Sequence, residues 1–263
     1  MTTPSWSLAS NATMASPLGS ANHAPRGEYA RWLREDLQCS PDLTRQRLRH
    51  YDIFTARWPD LAGWLATPLL DRVEVEALNR HEIGCVTRPK NGGVPTAYLA
   101  FVSLRHGVRL DTPLLLMLKV AFALRPDAMT ALGLDREAFD RHRDRLVELG
   151  YGQANAHGTV SWGLPRLTMW RGDPDITTIT ADDLEQFANE VRDFHETDAA
   201  LAVSRMRARA TDRSPARDAA GWAANRRHYQ ISRVFMLHVL LFNTGQVDRP
   251  PDRGARPARS WRD

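Results

Sequence analysis

The sequence predicts a mainly α-helical protein, made of helical bundles with a second, small helical domain. Apolar residues recur at helical spacing along most of the chain, and almost no segment alternates apolar and polar residues as a strand does. Ser, Thr, Pro and Gly stand where helices begin and end. The 263 residues, 43% of them apolar, are enough for a substantial buried core.

The first elements follow a stretch with little charge. Residues 1–27 are rich in Ser, Ala, Asn, Thr and Pro, so we expect a disordered leader and a fold that begins near Glu28. Ser40 is placed to cap a second helix, with Pro41 at its first position and Pro59 after its end. The apolar face of the helix before it is formed by Tyr29, Trp32, Leu33 and Leu37.

The middle of the chain also predicts helices. Thr112 opens a Leu-rich segment that Pro126 ends, and Asp135 can cap a helix that closes at Gly150, in the left-handed position after a helix. A further helix spans the 160s, where we expect Pro165 to kink or split it.

The last part of the chain restarts the helical pattern after Asp173. Thr180 is a good N-cap for an acidic helix. Residues 197–221 predict a weak helix or linker, and a long last helix is expected from about Gly221 to Asn243. The predicted division is a helical domain at 28–172, a small helical domain at 173–251 and a basic disordered tail at 252–263.

Positive charge is concentrated at the carboxyl end. From Arg205 to Asp263 there are 13 Arg and 5 Asp, a balance of +8, whereas the whole chain carries +4. Such an asymmetry is typical of a protein that binds a polyanion, nucleic acid first. Only Lys90 and Lys119 are lysines, which fits either selection for bidentate phosphate contacts or a G+C-rich coding sequence.

One face of the last helix carries the predicted DNA contacts. At 100° per residue, Arg226, Tyr229 and Arg233 lie together, opposite the apolar arc that must face the core. A basic, aromatic helix face suits phosphate and groove contact, although it is also compatible with a solvated charged surface. The residues expected to bind DNA are Arg226, Arg227, Tyr229, Arg233, Arg205, Arg207 and Arg209.

The chain offers little evidence for metal, cofactor or catalysis. Cys39 and Cys85 lack CxxC spacing and are expected to be reduced, and His81 with Cys85 supplies too few ligands for zinc. No P-loop or dinucleotide fingerprint is present. An acidic group could serve a metal-dependent nuclease but is more simply a cap and its polar face: Asp182, Asp183, Glu190, Asp193, His195 and Glu196.

Residues 176–251 resemble the core-binding region of tyrosine recombinases, the phage-integrase type. Three segments carry the resemblance: Ile-Thr-Thr-Ile-Thr-Ala-Asp-Asp-Leu-Glu-Gln-Phe (176–187), the basic helix Asn-Arg-Arg-His-Tyr-Gln-Ile-Ser-Arg-Val-Phe (225–235), and Leu-Phe-Asn-Thr-Gly-Gln-Val-Asp-Arg-Pro-Pro (241–251). The segment from Tyr98 to Leu115 is similar to N-terminal regions of integrase-like proteins from mobile elements.

The resemblance implies DNA binding for integration or recombination without catalysis. His142-Arg-Asp-Arg145 has the His-x-x-Arg spacing of the family but lies upstream of the basic region, and no tyrosine follows Tyr229 to act as nucleophile. We therefore assign no catalytic residue, no metal and no cofactor. The expected partners are double-stranded DNA and a second copy or a full-length recombinase.

Two other hypotheses about function stay open. The chain could be a helical protein-interaction scaffold that does not bind nucleic acid, or the carboxylate nuclease described above.

The longest apolar run, Leu114–Leu124, contains Lys119 and is about half as long as a membrane helix. Because the N-terminus also lacks a secretory signal, we expect a cytoplasmic protein without membrane contact.

Overall fold

The computed structural model describes residues 23–69, 96–118, 136–202, 204 and 215–252, and most of these residues are helical. No strand occurs within these ranges, which confirms the mainly α-helical prediction. A short 3₁₀ turn, Ile176–Thr178, precedes α8. The α-helices whose bounds fall within the described ranges are α1 (Arg26–Glu35), α2 (Pro41–Arg57), α3 (Leu61–Ala66), α4 (Thr96–His106), α5 (Thr112–Met117), α6 (Arg136–Glu148), α7 (Gln153–Arg171), α8 (Ala181–His195) and α9 (Pro215–Asn243).

Residues before the expected start near Glu28 take part in the described fold, where His23 and Ala24 pack against α2 and α4. The Ala24 amide donates to the Tyr98 hydroxyl at 3.0 Å, and the Tyr51 hydroxyl donates to the Ala24 carbonyl at 2.9 Å. These two tyrosines satisfy the backbone of Ala24, which is fully buried.

Capping residues fix most helix ends where the sequence predicts them. The Ser40 hydroxyl accepts from the Leu43 amide, and Pro41 opens α2. Thr180 and Asp183 form a reciprocal capping box at the start of α8. After α6, Gly150 has a φ of 90°, a left-handed conformation that glycine adopts without a steric penalty.

Pro165 does not split its helix, so of the two predicted outcomes, a kink or a split, the split is wrong. α7 runs unbroken for 19 residues through this proline. Proline has no backbone N–H to donate, and side chains supply extra hydrogen bonds in this part of the helix. The Thr168 hydroxyl donates to the Leu164 and Pro165 carbonyls, and Arg166 Nη1 donates to the Trp162 carbonyl. Burial between α6 and α9 holds the remainder of the helix in place.

α9 is the helix around which the second half of the chain packs. It contacts α7, α8 and α6, while α4 connects α1 and α2 to α7. The buried apolar side chains of these helices belong to one cluster, so the packing continues across the predicted boundary between residues 172 and 173. α9 starts at Pro215, six residues before the predicted Gly221, because the Ala-rich turns after this proline favour a helix.

Within the described ranges, no helix has both the length and the apolar character needed to cross a membrane. The residues beyond 252, which the sequence assigns to a basic tail, lie outside the description, as do residues 1–22.

Candidate functional site

Four of the seven predicted DNA contacts can be located, and all four lie on α9. Arg205, Arg207 and Arg209 fall outside the described residues. The four located side chains have different environments, which range from buried to exposed.

Arg233 is buried, which corrects the expectation that it faces solvent. Only 7% of the residue is exposed, and its Nη1 donates to the Gly158 carbonyl on α7 at 2.7 Å. Its guanidinium carbon lies 3.7 Å from the centre of the Tyr229 ring. Burial lowers the pKa of Arg233. This side chain therefore lies within the packing of α9 on α7 and cannot reach a DNA phosphate in this position.

The position of Arg233 along α9 explains why the prediction that it faces solvent failed. Trp222, Arg226, Tyr229 and Arg233 share one angular face of α9, as the sequence indicates. The first part of this face is exposed, whereas one turn later α7 covers it. Angle alone does not give the distance along the helix at which a neighbouring helix covers the face.

Arg226 lies at the boundary between buried and exposed. Its Nη2 donates to the Leu116 carbonyl at 3.0 Å, and Gln230 Nε2 donates to the same oxygen at 3.3 Å. Leu116 lies in the last turn of α5, where carbonyl groups have no partner within the helix and carry the negative end of its dipole. Arg226 thus caps α5 with one nitrogen, while its side chain lines an open cleft.

Arg227 and Tyr229 are exposed, as the sequence predicts. Arg227 Nη2 lies 3.0 Å from Glu196 Oε1 in an ion pair between α9 and the end of α8. Both side chains of this pair are half exposed or more, so the pair is weak and can be exchanged for another anion. Tyr229 is 44% exposed.

Sequence reasoning missed a second buried arginine beneath this surface. Arg166 on α7 is 4% exposed and donates to the Leu115 carbonyl at 2.9 Å and to the Trp162 and Leu118 carbonyls. Burial, with added repulsion from Arg233, lowers its pKa to about 9. Neither guanidinium has a carboxylate partner in the described part of the chain, so the site carries uncompensated positive charge.

A cleft of about 410 Å³ lies between α7 and the exposed half of α9. Trp222, which is 39% exposed, stands at its edge. Two of the three aromatic rings among its described lining residues lie against buried cations: Arg166 lies 4.6 Å from the Trp162 ring and Arg233 lies 3.7 Å from the Tyr229 ring. The cleft is lined by Trp162, Trp222, Asn225, Arg226, Tyr229 and Gln230.

Trp162 and Trp222 were not predicted to take part. Trp222 lies at the predicted start of the last helix, one residue after Gly221, and was not assigned to the basic face. Its spacing of four residues from Arg226 and seven from Tyr229 places it on the same helix face, and this spacing could have identified it. Trp162 and Arg166 show the same spacing of four residues on α7, but nothing in the sequence places α7 against α9.

Several members of the acidic group on α8 have separate partners within the fold. Asp182 pairs with Arg249, Asp183 completes the capping box, and Glu190 Oε2 accepts from the Thr112 hydroxyl at 2.6 Å and from Trp170 Nε1 at 2.8 Å. His195 Nε2 lies 2.7 Å from Gln230 Oε1.

This distribution of contacts does not favour a nuclease centre. The carboxylates diverge to separate partners, and within the described ranges no three His, Cys, Asp or Glu residues converge as metal ligands. His81 and Cys85 lie outside those ranges, whereas Cys39 is buried with a free thiol.

The His-x-x-Arg segment on α6 is divided between core and surface. His142 is 2% exposed, and burial together with the charge of Arg141 lowers its pKa to about 4. Arg145 pairs with Glu148 at 2.8 Å. The two side chains therefore do not form a joint phosphate site in this structure.

No family model, curated protein or solved structure matches this chain. The resemblance to tyrosine recombinases stays a prediction, and the site has to be interpreted from its own chemistry.

Proposed function

We propose that this chain is a DNA-binding protein and that it contacts DNA through the exposed half of α9. The observation that carries the proposal is the cleft at Trp222, where aromatic rings and Arg226 lie over two buried guanidiniums that no described carboxylate neutralises. Positive potential attracts phosphates, and aromatic side chains add contacts to bases or sugars.

The contact residues differ from those expected from the sequence alone. Arg226 and Arg227 supply the phosphate contacts, with Tyr229 and Trp222 beside them, while Arg233 supports Tyr229 from below. In the role that the resemblance implies, the chain holds DNA without cutting it, beside a second copy or a full-length recombinase.

Replacing Arg226 tests the proposal. Arg226→Gln removes the charge but keeps a polar side chain with a hydrogen-bond donor beside α5. We expect DNA affinity, measured by fluorescence anisotropy of a labelled oligonucleotide, to fall about tenfold, because a charge-assisted phosphate contact is lost. Unchanged affinity in a variant that unfolds at the wild-type temperature would contradict the proposed surface.

A second variant tests the same surface by a gain of affinity. Glu196→Gln frees Arg227 from its ion pair and removes a negative charge beside the site. We expect binding to strengthen about twofold to fivefold at low salt and the gain to vanish at high salt. The matched control is Asp52→Asn, which breaks the Arg26–Asp52 pair between α1 and α2 and should leave affinity unchanged.

A protein-interaction scaffold is the second candidate, and the same exposed aromatic residues favour it. Trp and Tyr are the residues that most often dominate protein interfaces, and Trp222 and Tyr229 are both more than a third exposed. If the protein binds no oligonucleotide even at low salt but forms a defined oligomer that Trp222→Ala disrupts, the scaffold explains this surface and DNA binding does not.

A further inference from the structure

The shape and lining of the cleft between α7 and α9 are specific enough to indicate what enters it. We propose that this cleft holds one unpaired base, so that the chain prefers single-stranded or locally opened nucleic acid to an intact duplex. This inference rests on the proposed DNA binding and specifies the ligand of the same site.

The described lining is aromatic and amide in character rather than aliphatic. Trp162, Trp222 and Tyr229 offer ring faces and edges, while Asn225 offers a side-chain amide, and no Leu, Ile, Val or Met is among the described residues that line the cleft. Planar ligands stack on such rings, and an amide can donate to and accept from a base edge. The Gln230 amide is already engaged by Leu116 and His195, so Asn225 is the lining amide that can contact the ligand.

Tyr229 has one ring face available for stacking. The guanidinium of Arg233 lies over the other face, at 3.7 Å from the ring centre, and its Nη1 is fixed by the Gly158 carbonyl at 2.7 Å. Since Arg233 is buried, the ring is held in one orientation before a ligand arrives. Preorganisation of this kind lowers the entropic cost of binding. Arg233 is thus a positioning residue for Tyr229.

Charge favours a planar ligand that also carries a phosphate. Arg226 lines the cleft, Arg227 follows it on the exposed surface, and Arg166 and Arg233 lie buried behind the rings. A nucleotide combines a stacking ring with an anion, whereas an uncharged aromatic compound would leave the positive charge of Arg226 and of the two buried arginines without an anion.

Access to the cleft favours an unpaired base. In a duplex each base is stacked on both neighbours and its edge is paired, so its ring faces cannot reach Tyr229 or Trp222 unless the base leaves the helix. An unpaired strand exposes both its ring faces and its phosphates. A volume of about 410 Å³ lies within the usual range for a small-molecule site of about 300–1,000 Å³.

Three probes of equal length separate the contributions of base and phosphate. The full chain is titrated by fluorescence anisotropy with a labelled 12-nucleotide single strand, with the blunt duplex of the same sequence, and with a single strand of abasic sites that has the same phosphates. We expect the normal single strand to bind at least tenfold more tightly than the abasic strand. The duplex should bind more weakly than the normal single strand.

The variant Trp222→Leu identifies the cleft as the source of this preference. We expect it to weaken binding of the single strand about tenfold and to leave the affinities for duplex and abasic strand unchanged. Trp222→Phe should restore most of the loss because it restores a ring. Phe242→Leu is the matched control, since Phe242 is also an exposed aromatic residue of α9 but does not line the cleft.

The outcomes distinguish this inference from the proposed function. If all three probes bind equally well and lose affinity together with rising salt, the chain binds phosphates and the base site is wrong. If none of them binds at low salt, the proposed DNA binding is wrong, and the base site with it.

Discussion

At the scale of single residues, Gly158 on α7 makes room for the buried side chain of Arg233 on α9. A Cβ atom at Gly158 would overlap the Arg233 guanidinium, so the absence of a side chain on α7 creates the space in which the arginine lies. The sequence showed a glycine within a helix and an arginine on another helix, but their contact depends on which helices pack together.

Gly158→Ala is predicted to destabilise the fold. The added methyl group must displace Arg233 from the Gly158 carbonyl, and the overpacking costs about 1–3 kcal/mol. The gain in helix propensity of about 0.5–1 kcal/mol at this position in α7 offsets that cost only in part. Urea denaturation measures this as a lower free energy of unfolding. The control is Gly221→Ala on the exposed part of α9, where a Cβ atom meets nothing within 4 Å and helix propensity predicts a gain of about 0.5–1 kcal/mol. Equal effects of the two substitutions would contradict the packing described.

At the scale of elements, helix ends were the most predictable feature. The Ser40 cap, the Thr180 cap and the glycine turn at Gly150 are local, because each depends on residues within four positions of the helix end. The unbroken α7 was not predictable in this way. Its continuity through Pro165 depends on packing against helices that lie far away along the chain.

Removal of the Thr180 cap is predicted to weaken α8. Thr180→Ala leaves the Asp183 amide without the hydroxyl that it donates to, which should cost about 1 kcal/mol of unfolding free energy. Thr180→Ser keeps the hydroxyl and should retain most of the stability. Denaturation of both variants by urea checks the difference, and a serine variant as unstable as the alanine variant would show that the hydroxyl is not the cause.

At the scale of the whole molecule, the helical spacing of apolar residues predicted the fold class, whereas the balance of charges did not predict the environment of each arginine. The excess of arginine near the carboxyl end is a property of the sequence, but a count of charges does not reveal their neighbours. The described side chains of that region include four of its thirteen arginines, and each has an intramolecular partner: Arg226, Arg227, Arg233 and Arg249. Arg226 and Arg233 donate to neutral carbonyl groups and not to carboxylates, so their positive charge is not cancelled.

Buried histidines predict how the stability of the whole fold responds to acid. Burial lowers the pKa of His142 and of His50 to about 4, from 6.5 in the unfolded chain. Between these values the unfolded chain binds more protons, so the free energy of unfolding should fall as the pH is lowered from 6.5 towards 4. His142→Gln should reduce this slope in thermal unfolding, whereas the exposed His228→Gln should not. A slope that does not respond to His142→Gln would contradict the burial of this ring.

The salt dependence of DNA binding tests the central claim most directly. Affinity for a labelled single strand is measured between low and physiological salt, for the wild type and for the double variant Arg226→Gln, Arg227→Gln. Each phosphate contact to a single strand contributes about 0.7 to the slope of log K against log salt, so the double variant should show a slope smaller by about 1.4. A wild-type slope near zero, or identical slopes for both proteins, would contradict a phosphate-binding surface on α9.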